Sequence, residues 1–402
     1  MSYTPDEILQ YIEEEDVKFI RLAFCDVFGT PKNISIMPNE MRRAFEQGIS
    51  IDASAIAGFG EESRSDMLLI PDPSEISILP WRPEHGRVVR MFCTVCNPDK
   101  TVFEADTRSL LKSTAEELKA EGFDFNFGPE TEFYLFKQDE NGEPTKIPYD
   151  HAGYMDLAPE DKGENVRREI CLTLEQMGIV PESSHHEEGP SQNKIDFRYS
   201  DALTAADHAI TFRSVVKTIA ARNGLYADFS PKPLANLPGN GMHINISAVY
   251  NGEDVLSYAT AGILKHISEI TLFLNSQPDS YKRFGANKAP LYISWSEQNR
   301  SQLIRIPATK RECKRAELRS PDPMCNPYLA LLLLMKAMVD GVKNKLPLCE
   351  PTGINLFKAT PKELSGFETL PRTIQDAVSV AKNSDFVKAS IPQSIIDDYS
   401  SR

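Results

Sequence analysis

A chain of 402 residues, 41% of them hydrophobic, is long enough to bury one large core or to divide into two domains. Its formal charge of −14 argues against general nucleic-acid binding, which needs a basic footprint, but leaves room for a local cationic pocket. The longest apolar run, Tyr328 to Met335, is far too short to span a membrane.

Met1 to Glu15 is acidic and polar, without the charged-then-apolar pattern of a signal peptide. Val17 to Phe24 and Asn33 to Ile36 read as strands around a turn at Phe28-Gly29-Thr30-Pro31. A short helix is expected within Asn39 to Gly48, and a strand over Arg87 to Val95. Cys93 and Cys96 fall in that strand, where odd spacing sends them to opposite faces, so the pair is a poor metal or redox site. Seven cysteines without framework spacing predict free thiols in a reducing cytoplasm.

A second region begins near Glu104. Helices are predicted over Thr107 to Glu121, Glu164 to Met177 and Leu203 to Arg222; Gly178 and Asn223-Gly224 end the last two. Strands are predicted at Asn126 to Phe136, Lys194 to Tyr199, Met242 to Val249, Leu291 to Trp295, Leu303 to Ile306 and Arg315 to Arg319. The apolar run at Tyr328 is a buried helix, capped by Asn326, opened by Pro327 and ended at Gly341. There is no regular βαβ rhythm, and no dinucleotide or P-loop motif, so the fold class is α+β.

Chemistry concentrates in five segments. Glu130 and Glu132, in Gly128-Pro129-Glu130-Thr131-Glu132-Phe133, share one strand face by period two. Their flanks are apolar, so the carboxylates need a cation or a shared proton; an isolated Glu-x-Glu reads equally as a solvent edge. His185-His186-Glu187-Glu188 adds ligand-type side chains, as a site or as a loop. Glu188, if the segment is extended, points away from the face of Glu187. His243 stands in an apolar strand, as a ligand or a satisfied core histidine. Glu317 and Arg319 share a face, with Arg300, Arg305 and Arg315 near in sequence. Carboxylates for Mg²⁺ or Mn²⁺ beside several arginines are what phosphoryl transfer requires.

The order and spacing of these segments resemble bacterial type I glutamine synthetases, in their shorter form, over essentially the whole chain. Ser65-Asp66-Met67, Pro71-Asp72-Pro73, Pro231-Lys232-Pro233, Ser280-Tyr281-Lys282-Arg283 and Arg319-Ser320-Pro321-Asp322-Pro323 add to the likeness. The resemblance implies an N-terminal β-grasp domain, 1–103, and a catalytic domain, 104–402, with a curved antiparallel sheet and flanking helices. It implies ATP-dependent ligation of ammonia or another amine to glutamate or a related carboxylate, in a homo-oligomeric ring or in co-assembly with a paralogue. By the resemblance, Glu130, His243 and Glu317 hold the metal on the ATP phosphates, and Glu132 and Glu187 bind a second metal. Arg283, Arg300 and Arg319 match arginines on glutamate and the transferring phosphoryl group, and Gly239 matches a backbone contact to glutamate. Arg305 and Arg315 match nucleotide contacts, Tyr199 and Ser247 flank the adenosine, and Asp52 reaches ammonium across a subunit interface.

Two positions depart from that pattern. Lys194 replaces the third carboxylate of the second metal, and Lys288 replaces the glutamate that receives the ammonium proton. At about 4 Å and an effective dielectric near 20, each unit of charge is worth on the order of 4 kcal/mol. A charged lysine and a tightly held second metal are therefore not expected together. Without metal, Lys194 is expected to reach Glu132 or Glu187. Lys288 repels ammonium and, when charged, accepts no proton. The alternatives are a ligase impaired with ammonia and a pseudoenzyme acting as a nucleotide-binding or regulatory partner. Pro238 replaces an asparagine near the substrate amino group. The chain also stops soon after Tyr399, short of the family's tail between rings, which leaves hexamer and dodecamer open.

Overall fold

The computed structural model describes residues 3–60, 63, 65–82, 85–307 and 314–401. Cys313 lies outside them; the six cysteines within them are free thiols. After helix α1 (Pro5–Glu14) come β1 (Val17–Cys25), β2 (Pro31–Ile36), α2 (Met41–Gln47), β3 (Ile49–Asp52), β4 (Asp66–Pro71), β5 (Ser77–Ile78) and β6 (Arg87–Cys96). These strands form a six-stranded sheet in the order β2-β1-β6-β4-β3, with β5 beside β6. The β1–β6 pair is parallel. Its core packs Ile8 and Ile12 of α1 and Met41 and Ala44 of α2 against Ile20, Leu22, Val89 and Met91.

Helix α3 (Thr107–Ala120) leads into β7 (Phe123–Gln138), the longest strand, followed by β8 (Pro144–Pro148), α4 (Glu164–Gln176), β9 (Pro181–His186) and β10 (Gln192–Phe197). Then come β11 (Ser200–Asp201), α5 (Ala202–Arg222), β12 (Leu225–Asp228), β13 (Met242–Tyr250), β14 (Glu253–Asp254) and α6 (Leu256–Leu274). Short strands β15 (Trp295–Ser296), β16 (Ile304–Arg305) and β17 (Ala316–Leu318) precede α7 (Pro327–Lys343) and the terminal helices α8 (Pro361–Leu364), α9 (Ile374–Asn383), α10 (Asp385–Ser390) and α11 (Gln393–Ser400). An eleven-stranded sheet runs β15-β16-β17-β13-β7-β10-β9, with β8, β11 and β12 on β7 and β14 on β13. The class is α+β, as expected.

Two sequence expectations need correction. Of the strand expected at Leu291 to Trp295, only Trp295–Ser296 is a strand, with Tyr292 in an isolated bridge to Thr369. Gly341 does not end α7, which runs on to Lys343 and is capped by Asn344. A Cβ on Gly262 of α6 would come within 2.1 Å of the Ala337 carbonyl and 2.9 Å of the Gly341 Cα. The two glycines let α6 and α7 approach backbone to backbone, which accounts for a glycine in a helix interior despite its poor propensity. Gly178 and Gly224 do end their helices, with φ of +81° and +68°.

The sheets are joined through a buried ionic network. Arg108 of α3 donates to Asp72 Oδ2 at 2.9 Å and to both oxygens of Asp207 on α5, at 2.8 Å for Nη2 and 3.0 Å for Nε. Tyr328 of α7 donates its hydroxyl to Asp207 at 2.7 Å. Asn326 donates to Val27 O and to Thr107 Oγ1, both at 3.0 Å. Burial works to raise the Asp72 carboxyl, but the Arg108 charge and hydrogen bonds from Ser74 and Arg108 outweigh it and hold it well below the carboxylate range. Removing the cation leaves buried Asp207 with only the neutral Tyr328 hydroxyl of these partners, and Asp72 with the part-exposed Lys112 at 3.0 Å. Arg108→Leu is expected to destabilise the fold by roughly 3–5 kcal/mol, read as a lowered denaturant midpoint; an unchanged midpoint would show the network idle. Because Asp72 is depressed when folded, its contribution is complete above the unfolded value of about 3.9 and is lost as pH falls toward the folded one.

Candidate active site

The register of the large sheet assembles the site. On β13 and β7, His243 lies opposite Glu130. On β10 and β7, Lys194 lies opposite Glu132 and Asp196 opposite Glu130. Glu317 of β17 faces Asn245 of β13 and Arg305 of β16. With side chains alternating along each strand, these residues gather on one face. Of these, Glu130, Glu132, Lys194, Asp196, His243 and Arg305 line a cavity of about 480 Å³, together with Glu187, Glu188, Gly239, Arg283, Lys288, Arg300, Arg315 and Arg319.

Glu130, His243 and Glu317 each present one ligand atom, all within 4.8 Å of one another. His243 Nδ1 is 3.9 Å from Glu130 Oε2 and 3.6 Å from Glu317 Oε1. Burial, Arg319 and Lys194 lower the His243 pKa, so the imidazole is neutral and its nitrogen is free to accept. Two carboxylates and a neutral imidazole suit a hard to borderline divalent cation.

Cations of the chain already occupy this set. Lys194 Nζ lies 2.6 Å from Glu130 Oε2 and 3.4 Å from His243 Nδ1. Glu317 is held by Arg305, at 2.6 and 2.7 Å, and through its other oxygen by Arg319. Burial opposes charge on Glu317, but Arg319, His243 and Arg305 bring its carboxyl down to about 2. For Lys194, burial acts to lower the ammonium pKa; Glu130, Glu132 and Asp196 outweigh it and hold the ammonium above its ordinary value.

The expected partners of Lys194 were Glu132 and Glu187, and Glu130 takes it instead. Glu132 lies directly opposite, but its Oε2 accepts the Gly241 N–H at 2.8 Å. Asp196 accepts the Ser183 hydroxyl at 2.6 Å. The long lysine side chain reaches the diagonal carboxylate. Burial, and secondarily the charge of Glu187, raise the Glu132 pKa. Glu132 and Glu187 line the same cavity, but with a lysine as their third member they make a poor cation site.

Beyond β9 the chain turns at 187–190, so Glu188 also lines the cavity and does not point away. Its Oε1 lies 2.5 Å from Lys288 Nζ, and that ammonium sits 5.1 Å from the Tyr154 ring centroid. Asn287 and Lys288 have φ of +46° and +64°, a left-handed turn that costs such residues roughly 1–2 kcal/mol each. Arg319 holds the turn by donating to Lys288 O at 3.3 Å.

Arg283 is buried and donates to Asn275 Oδ1 and Ser320 O, both at 2.7 Å. Gly239 is wedged against it, since a Cβ would come within 2.7 Å of Arg283 Cγ. Arg315 donates to Asn245 Oδ1 at 2.9 Å, and Arg300 lines the cavity from an exposed loop. Tyr199 and Ser247 are not among the lining residues, and Tyr199 is 65% exposed beyond the end of β10. Asp52 is exposed at the end of β3 in the other sheet, where it accepts the Ser54 N–H at 2.9 Å.

Sequence reading missed Asn245, which donates to Glu130 Oε1 at 2.6 Å. Two residues after His243 on the same strand face, it was visible by period. A second cluster, Asp150, Asp161 and His186, is closed off from metal by Arg167, which donates to Asp161 Oδ1 at 3.1 Å. There His186 bridges Asp150 at 2.9 Å and Glu187 O at 2.7 Å, fixing the end of β9.

Models of known families match nearly all of this architecture: glutamine synthetase beta-Grasp domain over 16–98 and glutamine synthetase catalytic domain over 104–402. The chain belongs to the glutamine synthetase family. It is 45% identical to a glutamine synthetase of Methanosarcina mazei, over 98% of this chain and 92% of that one. The glutamine synthetase of Clostridium saccharobutylicum is 42% identical, over 99% of this chain and 94% of its own. Among solved structures, GmaS in complex with ADP superposes with a TM-score of 0.88 at 25% identity, covering 98% of this chain and 94% of that one. The cryo-EM structure of Plasmodium falciparum glutamine synthetase shares the fold, with a TM-score of 0.87 at 23% identity, covering 100% of this chain and 95% of that one. The chain is a ligase of this family, which works with ATP and Mg²⁺ or Mn²⁺.

A divalent ion held by Glu130, His243 and Glu317 would have to displace Lys194 from Glu130. Lys194→Met is expected to bind Mn²⁺ at least about tenfold more tightly, since one unit of nearby charge is worth more than the roughly 1.4 kcal/mol this requires. Free Mn²⁺ followed by electron paramagnetic resonance measures it. Equal affinity would mean that Lys194 leaves without cost.

Proposed function

We propose that this chain is an ATP-dependent carboxylate–amine ligase of the glutamine synthetase class whose chemistry with ammonia is impaired. The observation that supports it is the ammonium of Lys194 seated 2.6 Å from Glu130, inside a cavity otherwise furnished for phosphoryl transfer. Glu130, His243 and Glu317 would hold a divalent ion, which neutralises phosphate charge when bound. Arg305 and Arg315 suit the nucleotide phosphates. Arg283, Arg300 and Arg319 suit the carboxylate donor and the transferring group. Arg319 and Arg305 grip Glu317 in the free chain and are released to anions as substrate enters. Glu188, paired with Lys288, and Glu187, which lines the same cavity, are the candidates to receive a proton from the amine. Lys288 beside them disfavours a bare ammonium ion.

The Lys194 pairing also supports a second reading: a nucleotide-binding regulatory partner that ligates nothing. Phosphate release from ATP with glutamate and a panel of amines separates the two. Ammonia-dependent turnover is expected to fall at least roughly 10²-fold below that of relatives with both glutamates, the scale of a lost acid–base group. Lys194→Glu combined with Lys288→Glu is expected to raise it. Ordinary family turnover in the parent protein would sink this proposal.

The free thiols and acidic surface fit a cytoplasmic protein, and no described helix is long and apolar enough to cross a membrane. Asp52 stands away from its own cavity, so it can serve one only in a neighbouring copy. We expect a hexameric ring, or a dodecamer that dissociates in salt, by native mass measurement at micromolar concentration. A clean monomer would leave Asp52 with no site to serve.

A further inference from the structure

We infer that the amine accepted by this site is an α-amino acid, bound as its zwitterion between Glu188 and Lys288. The inference rests on the ligase reading above and names its amine class.

An amine must find a carboxylate to hold its ammonium and take its proton. Most carboxylates of the cavity are engaged within the chain. Glu130 holds Lys194 and Asn245, Asp196 accepts the Ser183 hydroxyl, and Glu132 accepts Gly241 N–H. Glu187 accepts the Glu188 N–H at 3.3 Å through Oε2 and has a loose contact from His185 Nε2 at 3.8 Å. Glu188 is paired with Lys288 at 2.5 Å, and both side chains are part-exposed, 38% and 45%. An ion pair so exposed contributes little and opens readily.

This pair discriminates by charge. A bare ammonium ion must displace a tethered ammonium from Glu188 and gives Lys288 nothing in exchange. A zwitterion replaces both halves: its ammonium takes Glu188 and its carboxylate takes Lys288. The left-handed turn at Asn287–Lys288 and the Tyr154 ring 5.1 Å away hold the Lys288 ammonium over the cavity. A carboxylate brought to Lys288 therefore sets its own α-amino group beside Glu188. The arginines remain for the carboxylate donor and phosphates. In the reaction the amino acid gives up one ammonium proton to Glu188 and its nitrogen attacks the acyl phosphate of the donor. The C–N bond forms, the C–O bond to phosphate breaks, phosphate leaves, and the second N–H proton passes to solvent. The product is an amide-linked dipeptide.

The test offers the full-length protein ATP, Mg²⁺ and saturating glutamate with glycine, L-alanine, glycine methyl ester, methylamine or ammonia at equal concentrations. Products are read by mass and rates by phosphate release. Glycine and L-alanine are expected to react at least tenfold faster than the ester, which has the same amine without the carboxylate. Lys288→Ala is expected to erase that difference, raising KM for glycine about tenfold with kcat little changed and, by freeing Glu188, lowering KM for the ester. Preference for ammonia, methylamine or the ester in the parent protein overturns the inference, as does an equal loss for every amine in Lys288→Ala. If no amine elicits phosphate release, the ligase reading fails. Calorimetric titration of L-alanine into protein saturated with ADP, Mg²⁺ and glutamate then decides this site alone: binding lost in Lys288→Ala upholds it, and no binding overturns it.

Discussion

Two carboxylates side by side on a buried strand face cannot stand without cations, and the rest of the site follows from that constraint. Glu130 and Glu132 sit two apart on β7 among apolar neighbours, with further acids brought in by the adjoining strands. Repulsion among them must be met by protons, metals or the chain's own cations. Here the chain supplies Lys194, Arg305 and Arg319. Lys194 and Arg305 lie on strands whose register places them against acids, and Arg319 follows directly on β17, so one pairing pattern serves the fold and the chemistry together.

Much of this was legible in the sequence because strands write their faces in period two. The partnership of Glu130 with Glu132, the position of His243 in an apolar strand and the shared face of Glu317 and Arg319 needed no structure. What could not be read was which of several acids a long side chain would choose. That depended on a backbone N–H: Gly241 occupies Glu132, so Lys194 turns to Glu130. Glu188 was misjudged for a similar reason, since its direction follows from a turn that begins where β9 ends. Gly341 was read as a stop because glycine after an apolar run usually is one. Its partner Gly262 is 79 residues earlier by numbering, and no local pattern announces a close approach between distant helices.

The small and large sheets are tied by buried charge, whereas the cavity is gathered within the large sheet. Arg108 connects Asp72 of the N-terminal part with Asp207 of α5, and Tyr328 of α7 completes the arrangement. Such a network contributes less to net stability than an apolar contact of equal volume would, but it tolerates little change in geometry. It therefore fixes the orientation of the small sheet, and with it the direction in which Asp52 is presented.

The lysine within the ligand set gives the resting molecule an unusual independence. In a site built only of acids and histidine, the empty form is electrostatically frustrated and its shape depends on the supply of ions. This chain carries its own counter-charge on a flexible four-carbon arm. The free form is already neutralised at Glu130, so folding and loading are separate events. A cell short of divalent ions would hold this protein intact and waiting, with Lys194 as a placeholder that an ion drawn to these ligands would have to evict.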